Sequence, residues 1–142
     1  TIPYCFGEIK YPGVPLISLH EIDEMPFDLH NTEIVPIRIW HHKLPILGFK
    51  IGAFAYLTDI SGIDDKEYEK LQNLDVLVVD ALRLKPHFSH FTLEQAISFA
   101  EKTNAKEVYF THISHQLGKH DEIQSLLPHN MMLAYDGLKI TI

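Results

Sequence analysis

A single cysteine, Cys5, stands in a chain of 142 residues. That excludes an intrachain disulfide and a thiolate zinc cluster, and it points to a reducing compartment, the cytoplasm. Basic residues are outnumbered, with 12 Lys and Arg against 19 Asp and Glu and a net charge of −7 with histidine neutral. A sequence-independent nucleic-acid binder normally carries a basic face, so nucleic acid is disfavoured as a partner. A phosphate substrate is not excluded, because bound metal ions can supply positive charge locally. No apolar run approaches the roughly 18 residues that a bilayer span needs, and no basic-then-apolar signal segment is present. A membrane is therefore not an expected partner. Thr1 is not an initiator methionine and opens the chain without a turn or cap signal, as an internal start or a processed terminus would.

The residues that are present can build a core. The hydrophobic share is 46% and the charged share 22%, as in a folded domain or part of one. Pro3, Pro12, Gly13, Pro15 and Pro26 interrupt regular structure, so the first thirty residues read as loop, with at most a short strand near Ile17–Ile22. Glu33–Trp40 alternates and is rich in branched residues, which predicts a strand. Phe49–Ile51 and Phe54–Leu57, split by Gly52-Ala53, predict a hairpin ending at Asp59. Asp64–Leu71 reads as a short helix. Val76–Val79 is a continuous apolar run, as a strand buried on both faces requires.

The clearest helix begins at Thr92. Thr92 and Gln95 stand at capping-box spacing, Leu93, Ala96, Ile97 and Ala100 share one face, and Asn104 is a stop signal. Val108–Thr111 predicts a strand, Asp121–Leu127 a helix and Met131–Ala134 a strand. Asp136-Gly137 predicts a tight turn into Leu138–Ile142. The fold class expected is α+β, a mixed β-sheet with helices on one face. Too few helices remain to cover the other face, so an absent partner layer or self-association is expected.

Ten histidines are unusual for this length, and four candidate positions fall where a strand gives way to a loop. His41 follows Trp40, Asp59 closes Tyr56-Leu57-Thr58, His90 precedes the cap Thr92, and His112 follows Thr111. Loops converge at one rim of a sheet, so these side chains can meet there. A carboxylate with imidazoles suits zinc, manganese or iron. Each residue also has a plain structural reading: a lone histidine is more often a hydrogen-bonded structural residue, and Asp59 before Ile60-Ser61-Gly62 can cap a turn. Position alone leaves both readings open.

The wording of the segments goes further. His41-His42-Lys43-Leu44-Pro45-Ile46-Leu47-Gly48-Phe49 and Ala55-Tyr56-Leu57-Thr58-Asp59 resemble the central segment of phosphodiesterase-type metallo-β-lactamase-fold hydrolases. Ser89-His90-Phe91-Thr92 and Tyr109-Phe110-Thr111-His112-Ile113-Ser114-His115 resemble their C-terminal segment, and Ala134-Tyr135-Asp136-Gly137-Leu138 their closing turn. The resemblance runs from about Phe6 to the end and is closest to the phosphoribosyl cyclic phosphate phosphodiesterase-like group, with tRNA 3′-processing endonucleases further away.

That resemblance implies that residues 1–142 form the C-terminal part of such a domain, half of an αβ/βα sandwich. It implies His41 and His112 as metal ligands, Asp59 as a carboxylate bridging two divalent ions (zinc or manganese), and His90 as a proton donor to the leaving oxygen. Asp59 and His90 are thus the expected catalytic pair. His42 competes with His41, but the His-x-Lys-Leu spacing favours His41. His115 is expected to support the site, His87 to line its mouth, and Asp80 and Asp136 to orient loops. The implied substrate is a small or cyclic phosphodiester.

One family element has no counterpart. The His-x-His-x-Asp-His signature that supplies the remaining ligands matches neither Leu19-His20-Glu21-Ile22-Asp23 nor Asp28-Leu29-His30-Asn31. The chain is therefore expected to be an incomplete, inactive fragment with partial or no metal occupancy, and to form a homo-oligomer through its open sheet face. The alternative is a non-catalytic, self-associating interaction domain whose histidines are structural. A cupin-like barrel ranks last, since neither its close His-x-His pair nor its glycine-rich hairpins are evident.

Overall fold

A computed structural model of the protein describes Gly13 and residues 17–142. Pro3, Cys5, Pro12 and Pro15, which carried part of the loop and compartment expectations, lie outside the described residues. The elements are β1 (Phe27–Leu29), β2 (Thr32–His41), β3 (Leu44–Ile51), β4 (Phe54–Leu57), β5 (Gly62–Ile63), a 3-10 helix (Asp65–Leu71), β6 (Val76–Asp80), α1 (Leu93–Thr103), β7 (Glu107–Thr111), α2 (His120–Gln124) and β8 (Met131–Leu133). They form an α+β fold around one mixed sheet of order β1-β2-β3-β4-β6-β7-β8, with β5 pairing a second stretch of β2. No helix among the described residues is long and apolar enough to cross a membrane.

The first half of the sheet is antiparallel and the second half, from β4 through β6 and β7 to β8, is parallel. Parallel neighbours need crossovers, and here the 3-10 helix, α1 and α2 supply them. Two antiparallel steps separate β2 from β4, so β2 runs in the same direction as β4, β6 and β7. Their C-terminal ends therefore share one rim. The core joins Ile37, Ile39, Leu57, Leu77, Val79 and Phe110 of the sheet to Ala96, Phe99 and Ala100 of α1. Every residue of β6 is buried, as its unbroken apolar run predicts.

Helix α1 starts and stops where its sequence dictates. Gln95 N donates to Thr92 Oγ1 at 3.2 Å, Thr92 N donates to Gln95 Oε1 at 2.9 Å, and Asn104 closes the helix with φ of 52°. Other boundaries moved. Residues 17–23 form no strand and are exposed; alternation without a surface to bury against does not hold a strand. The first strand is instead β1, folded onto β2 by His30 and Asn31, both with positive φ (51° and 65°), the requirement of a two-residue hairpin turn. β3 begins at Leu44, well before Phe49. The segment expected as Asp64–Leu71 helix is 3-10, and its flanking Asp64 makes no cap because its carboxylate is taken by Arg38 and Trp40. Helix α2 ends at Gln124, short of Leu127.

The outer edge of β2 is open between β1 and β5, and side chains of the 3-10 helix fill that gap. Arg38 N donates to Glu67 Oε2 at 3.0 Å and Lys70 Nζ donates to the Pro36 carbonyl at 3.1 Å. Glu67, only 2% exposed, thus serves as a substitute strand for one residue pair and blunts an aggregation-prone edge.

The expected closing hairpin is a second correction. Gly137 (φ 89°) turns the chain, with Leu138 N donating to the Tyr135 carbonyl at 3.0 Å, but Leu138–Ile142 joins no ladder. It lies over the sheet instead, where Leu138, Ile140 and Ile142 line a shallow cavity of about 300 Å³ with Phe54, Tyr56, Val78 and Tyr109. Burial of its apolar side over this face outweighs pairing with the short strand β8. Cover is partial, since Tyr56 remains 44% exposed.

Candidate metal centre

The shared rim gathers all four sequence-selected residues. His41 ends β2, Asp59 follows β4, His112 follows β7, and His90 stands two residues before Thr92, the N-cap of α1. Asp59 Oδ1 lies 3.6 Å from His112 Nε2 and 3.7 Å from His90 Nδ1. Donor atoms of His41, Asp59 and His90 all fit within 4.8 Å of one another. The rings of His41 and His112 pack on His90, with centroids 4.8 and 4.7 Å away. The distances alone allow either His90 or His112 beside Asp59 and His41.

Local backbone explains the convergence. Asp59 and His112 both adopt positive φ, 61° and 56°, a conformation disfavoured for residues with a β-carbon. The turn at Asp59 is held from three directions. Ser61 N and Ser61 Oγ donate to the Trp40 carbonyl at 2.7 and 2.8 Å, and His42 N donates to Ser61 Oγ at 2.8 Å. Ile60 N donates to Asp80 Oδ1 at 2.8 Å, and Phe91 N donates to the Ile60 carbonyl at 2.8 Å. With its proton on Nδ1, His41 donates to the Asp59 carbonyl at 3.0 Å, which directs the Nε2 lone pair outward as a ligand requires.

Two groups behind this cluster are electrostatically perturbed. Asp80 is fully buried, and burial pushes its carboxyl up to about 7, opposed by the Ile60 amide and reinforced by Asp59. Burial holds the His90 imidazole below the ordinary histidine range; His112 and His41 add to this and Asp59 opposes it. Asp80 Oδ2 and His90 Nδ1 stand 3.7 Å apart, and both are buried with no hydrogen-bond partner.

The residues present fit a divalent cation. The donors are imidazole and carboxylate, the borderline set that zinc and manganese accept. Ligand atoms about 2.0–2.2 Å from one tetrahedral ion stand roughly 3.3–3.6 Å apart, close to the separations around Asp59. Buried polar atoms without partners are rare in finished structures, and here they adjoin the cluster.

Other histidines fall outside. His42, with positive φ of 58°, turns away from Asp59 to meet Phe88 edge-on. His115 is exposed and makes no hydrogen bond among the described residues. His87 packs on His90 at 5.0 Å. Asp136 is exposed and, with Tyr135, lines a cavity of about 190 Å³ beside His112. Sequence reasoning missed Ser61 and Phe88. A serine in a turn and an aromatic in a proline-containing loop carry no spacing signal.

The family model of the beta-lactamase superfamily domain matches residues 2–113. An octanoyltransferase of Porphyromonas gingivalis is 40% identical over 141 residues, covering 98% of this chain and 29% of that protein. Among solved structures, a diphosphatase from the PhnP family superimposes with a TM-score of 0.86 at 43% identity, covering 88% of this chain and 49% of that one. Human tRNase Z, short form, superimposes at 0.62 and 25% identity, covering 82% and 45%. The zinc-bound PqqB of Methylobacterium extorquens, 13% identical with a TM-score of 0.67, shares the fold. The chain therefore spans 29% of the curated relative and about half of the structural ones.

Proposed function

The chain belongs to the beta-lactamase superfamily, and on that premise we propose that its rim cluster is one side of a divalent-metal phosphodiester hydrolase site acting on small or cyclic phosphodiesters. One observation carries this: three imidazoles from separate segments of the rim surround the carboxylate of Asp59, which a strained backbone presents to them.

We assign His41, Asp59 and His112 to hold metal, two divalent ions in the longer protein. When bound, such ions supply Lewis acidity toward phosphoryl oxygens and acidify water near neutral pH. His90, its ring packed between His41 and His112, is assigned to hand a proton to the departing alkoxide. Burial holds its pKa below the ordinary histidine range, so its doubly protonated form is a stronger acid than an exposed imidazolium. Asp80 Oδ2 lies 3.7 Å from the same ring.

The matched part of the diphosphatase is 49% of its length, and we assign the remaining metal ligands to sequence outside that part. The octanoyltransferase match spans only 29% of that protein, so its name describes a longer chain and is not carried over. A single cysteine fits residence in the cytoplasm.

Calorimetric titration with zinc tests the assignment. The chain alone should bind zinc weakly and at one site, and Asp59→Ala and His41→Ala should each abolish the binding. Two tight sites, or affinity unchanged by Asp59→Ala, would sink it.

A second reading is favoured by the partly covered sheet face around Tyr56, Phe54 and Tyr109. We propose that this face is buried by a second copy when the chain is alone.

A further inference from the structure

The rings of the site do not end at Asp59. His112 stacks on His90 with 4.7 Å between centroids and 28° between planes, His90 on His87 at 5.0 Å and 30°, and His87 on Phe88 at 4.6 Å and 30°. Four rings, each tilted by 28–30° from the next, thus form a continuous run of contacts that starts beside the carboxylate and ends at Phe88, which is 71% exposed. His42 meets the Phe88 ring edge-on at 5.4 Å and 90°, closing one side of the terminal ring.

The loop that carries Phe88 is clamped. Leu82 N donates to the Phe91 carbonyl at 3.0 Å and Leu93 N to the Arg83 carbonyl at 3.1 Å, so its two ends are tied together. The Arg83 guanidinium donates to the carbonyls of Lys85 and Pro86 at 3.1 and 2.9 Å and to Gln116 Oε1 at 2.9 Å. Ser89, only 2% exposed, places its hydroxyl 3.2 Å from His87 Nδ1 and fixes that ring under Phe88. Singly exposed apolar residues are ordinary on protein surfaces. A rigidly held aromatic ending a ring column from a phosphate-handling cluster is a different object, because its orientation is set before any ligand arrives.

We propose that Phe88, framed by His87 and His42, is a stacking platform for a planar heteroaromatic ring of the substrate, so that the preferred phosphate ester carries a nucleobase. Phosphate at the histidines and base on Phe88 would be separated by the two ring steps from His90, a reach that a nucleotide can make. Phe88 offers a π-face tolerant of any base. The ring of His42, unbonded among the described residues, offers a hydrogen-bonding edge beside it. The location of the phosphate rests on the hydrolase reading; the ring site itself does not.

The test compares two ligands that share a sugar phosphate and differ in the base. Adenosine 5′-monophosphate and ribose 5-phosphate are titrated calorimetrically into the full chain with excess zinc, and again with a chelator. The ratio of their affinities cancels whatever the phosphate contributes. The nucleotide should bind roughly 5- to 150-fold tighter, the equivalent of about 1–3 kcal/mol for one stacked base. Phe88→Leu should collapse that ratio toward one and Phe88→Trp should keep it. Equal binding of the two ligands, no binding of either, or a ratio indifferent to Phe88→Leu would overturn the proposal. A ratio that survives chelation while zinc binding fails the Asp59→Ala test would leave the platform standing and the hydrolase assignment refuted.

Discussion

The buried carboxylate of Asp80 accepts the amide of Ile60 at 2.8 Å, and this one bond ties the end of β6 to the turn that presents Asp59. Ile60 is itself fully buried, and its carbonyl is taken by Phe91. Asp59 is thereby held at a φ of 61° between a strand on one side and the loop carrying His90 on the other. The other oxygen of Asp80 stands 3.7 Å from His90 Nδ1, so one residue bonds the turn that presents Asp59 and lies beside an imidazole of the cluster.

That arrangement makes stability depend on pH. Burial raises the folded-state pKa of Asp80 to about 7, above the ordinary carboxylate value of about 3.9. The folded state therefore binds the proton more tightly than the unfolded one. Stability from this group is fully present below about pH 4, falls as pH rises through 7, and is flat above, with a slope of up to about 1.4 kcal/mol per pH unit. Urea unfolding with a chelator present, followed from pH 5 to pH 8, should show the decline. Asp80→Asn, which keeps an acceptor for Ile60, should flatten it; an identical slope in the variant would rule the assignment out.

The site was legible in the sequence to the extent that strand ends were legible. His41, Asp59 and His112 follow segments whose alternation or apolar continuity marks them as strands, and parallel β4, β6 and β7 bring such ends to one rim. The capping box at Thr92 located the helix behind His90 by local chemistry alone. What failed lay where tertiary context decides. Leu138–Ile142 alternates like a strand, yet the apolar sheet face under it competed for the same side chains. Asp64–Leu71 read as a short helix, but Arg38 and Trp40, both distant in sequence, hold the Asp64 carboxylate and the segment is 3-10. Phe88 carries no periodicity, and only the ring column gives it a meaning.

Glu67 offers a test of how the open edge of β2 is managed. Its carboxylate accepts from the Arg38 amide at 3.0 Å and from Lys70 Nζ at 2.8 Å. Glu67→Ala removes from a buried position the one oxygen that accepts from both donors and should destabilise the fold by about 1–3 kcal/mol. Glu67→Gln, which keeps one oxygen acceptor, should lose less. Denaturant midpoints measure both, and a neutral Glu67→Ala would mean that water satisfies the edge equally well.

His90 and His112 should separate by function although their rings touch. If His112 holds metal and His90 moves a proton, His112→Ala should weaken zinc binding. His90→Asn should leave zinc binding unchanged and, in the longer protein, lower hydrolysis of a diester with a poor leaving group by roughly 10²–10⁴-fold. A diester with a nitrophenolate leaving group needs little protonation and should be spared. Equal losses for both esters would instead make His90 a ligand, in line with its donor atom lying within 4.8 Å of those of His41 and Asp59.

The sheet face under residues 138–142 offers a test of the proposed self-association. Phe54, Tyr56, Val78 and Tyr109 form an apolar surface that Leu138, Ile140 and Ile142 only partly cover, and Tyr56 stands in the middle of it, 44% exposed. Apolar patches beyond a few hundred Å² are seldom left open to water, so light scattering at rising concentration should reveal dimers or larger species. Tyr56→Lys puts a charge at the centre of the face without touching the rim cluster. It should shift the chain toward monomer while the circular dichroism spectrum and the zinc titration stay as they were. Tyr56 sits opposite Phe49 on one strand and Val78 on the other, so loss of fold in Tyr56→Lys would be a separate outcome, distinguished by Tyr56→Thr, which keeps β propensity while removing the exposed ring. A wild-type chain that remains monomeric at high concentration and binds no hydrophobic dye would show that the C-terminal segment alone covers enough of this face.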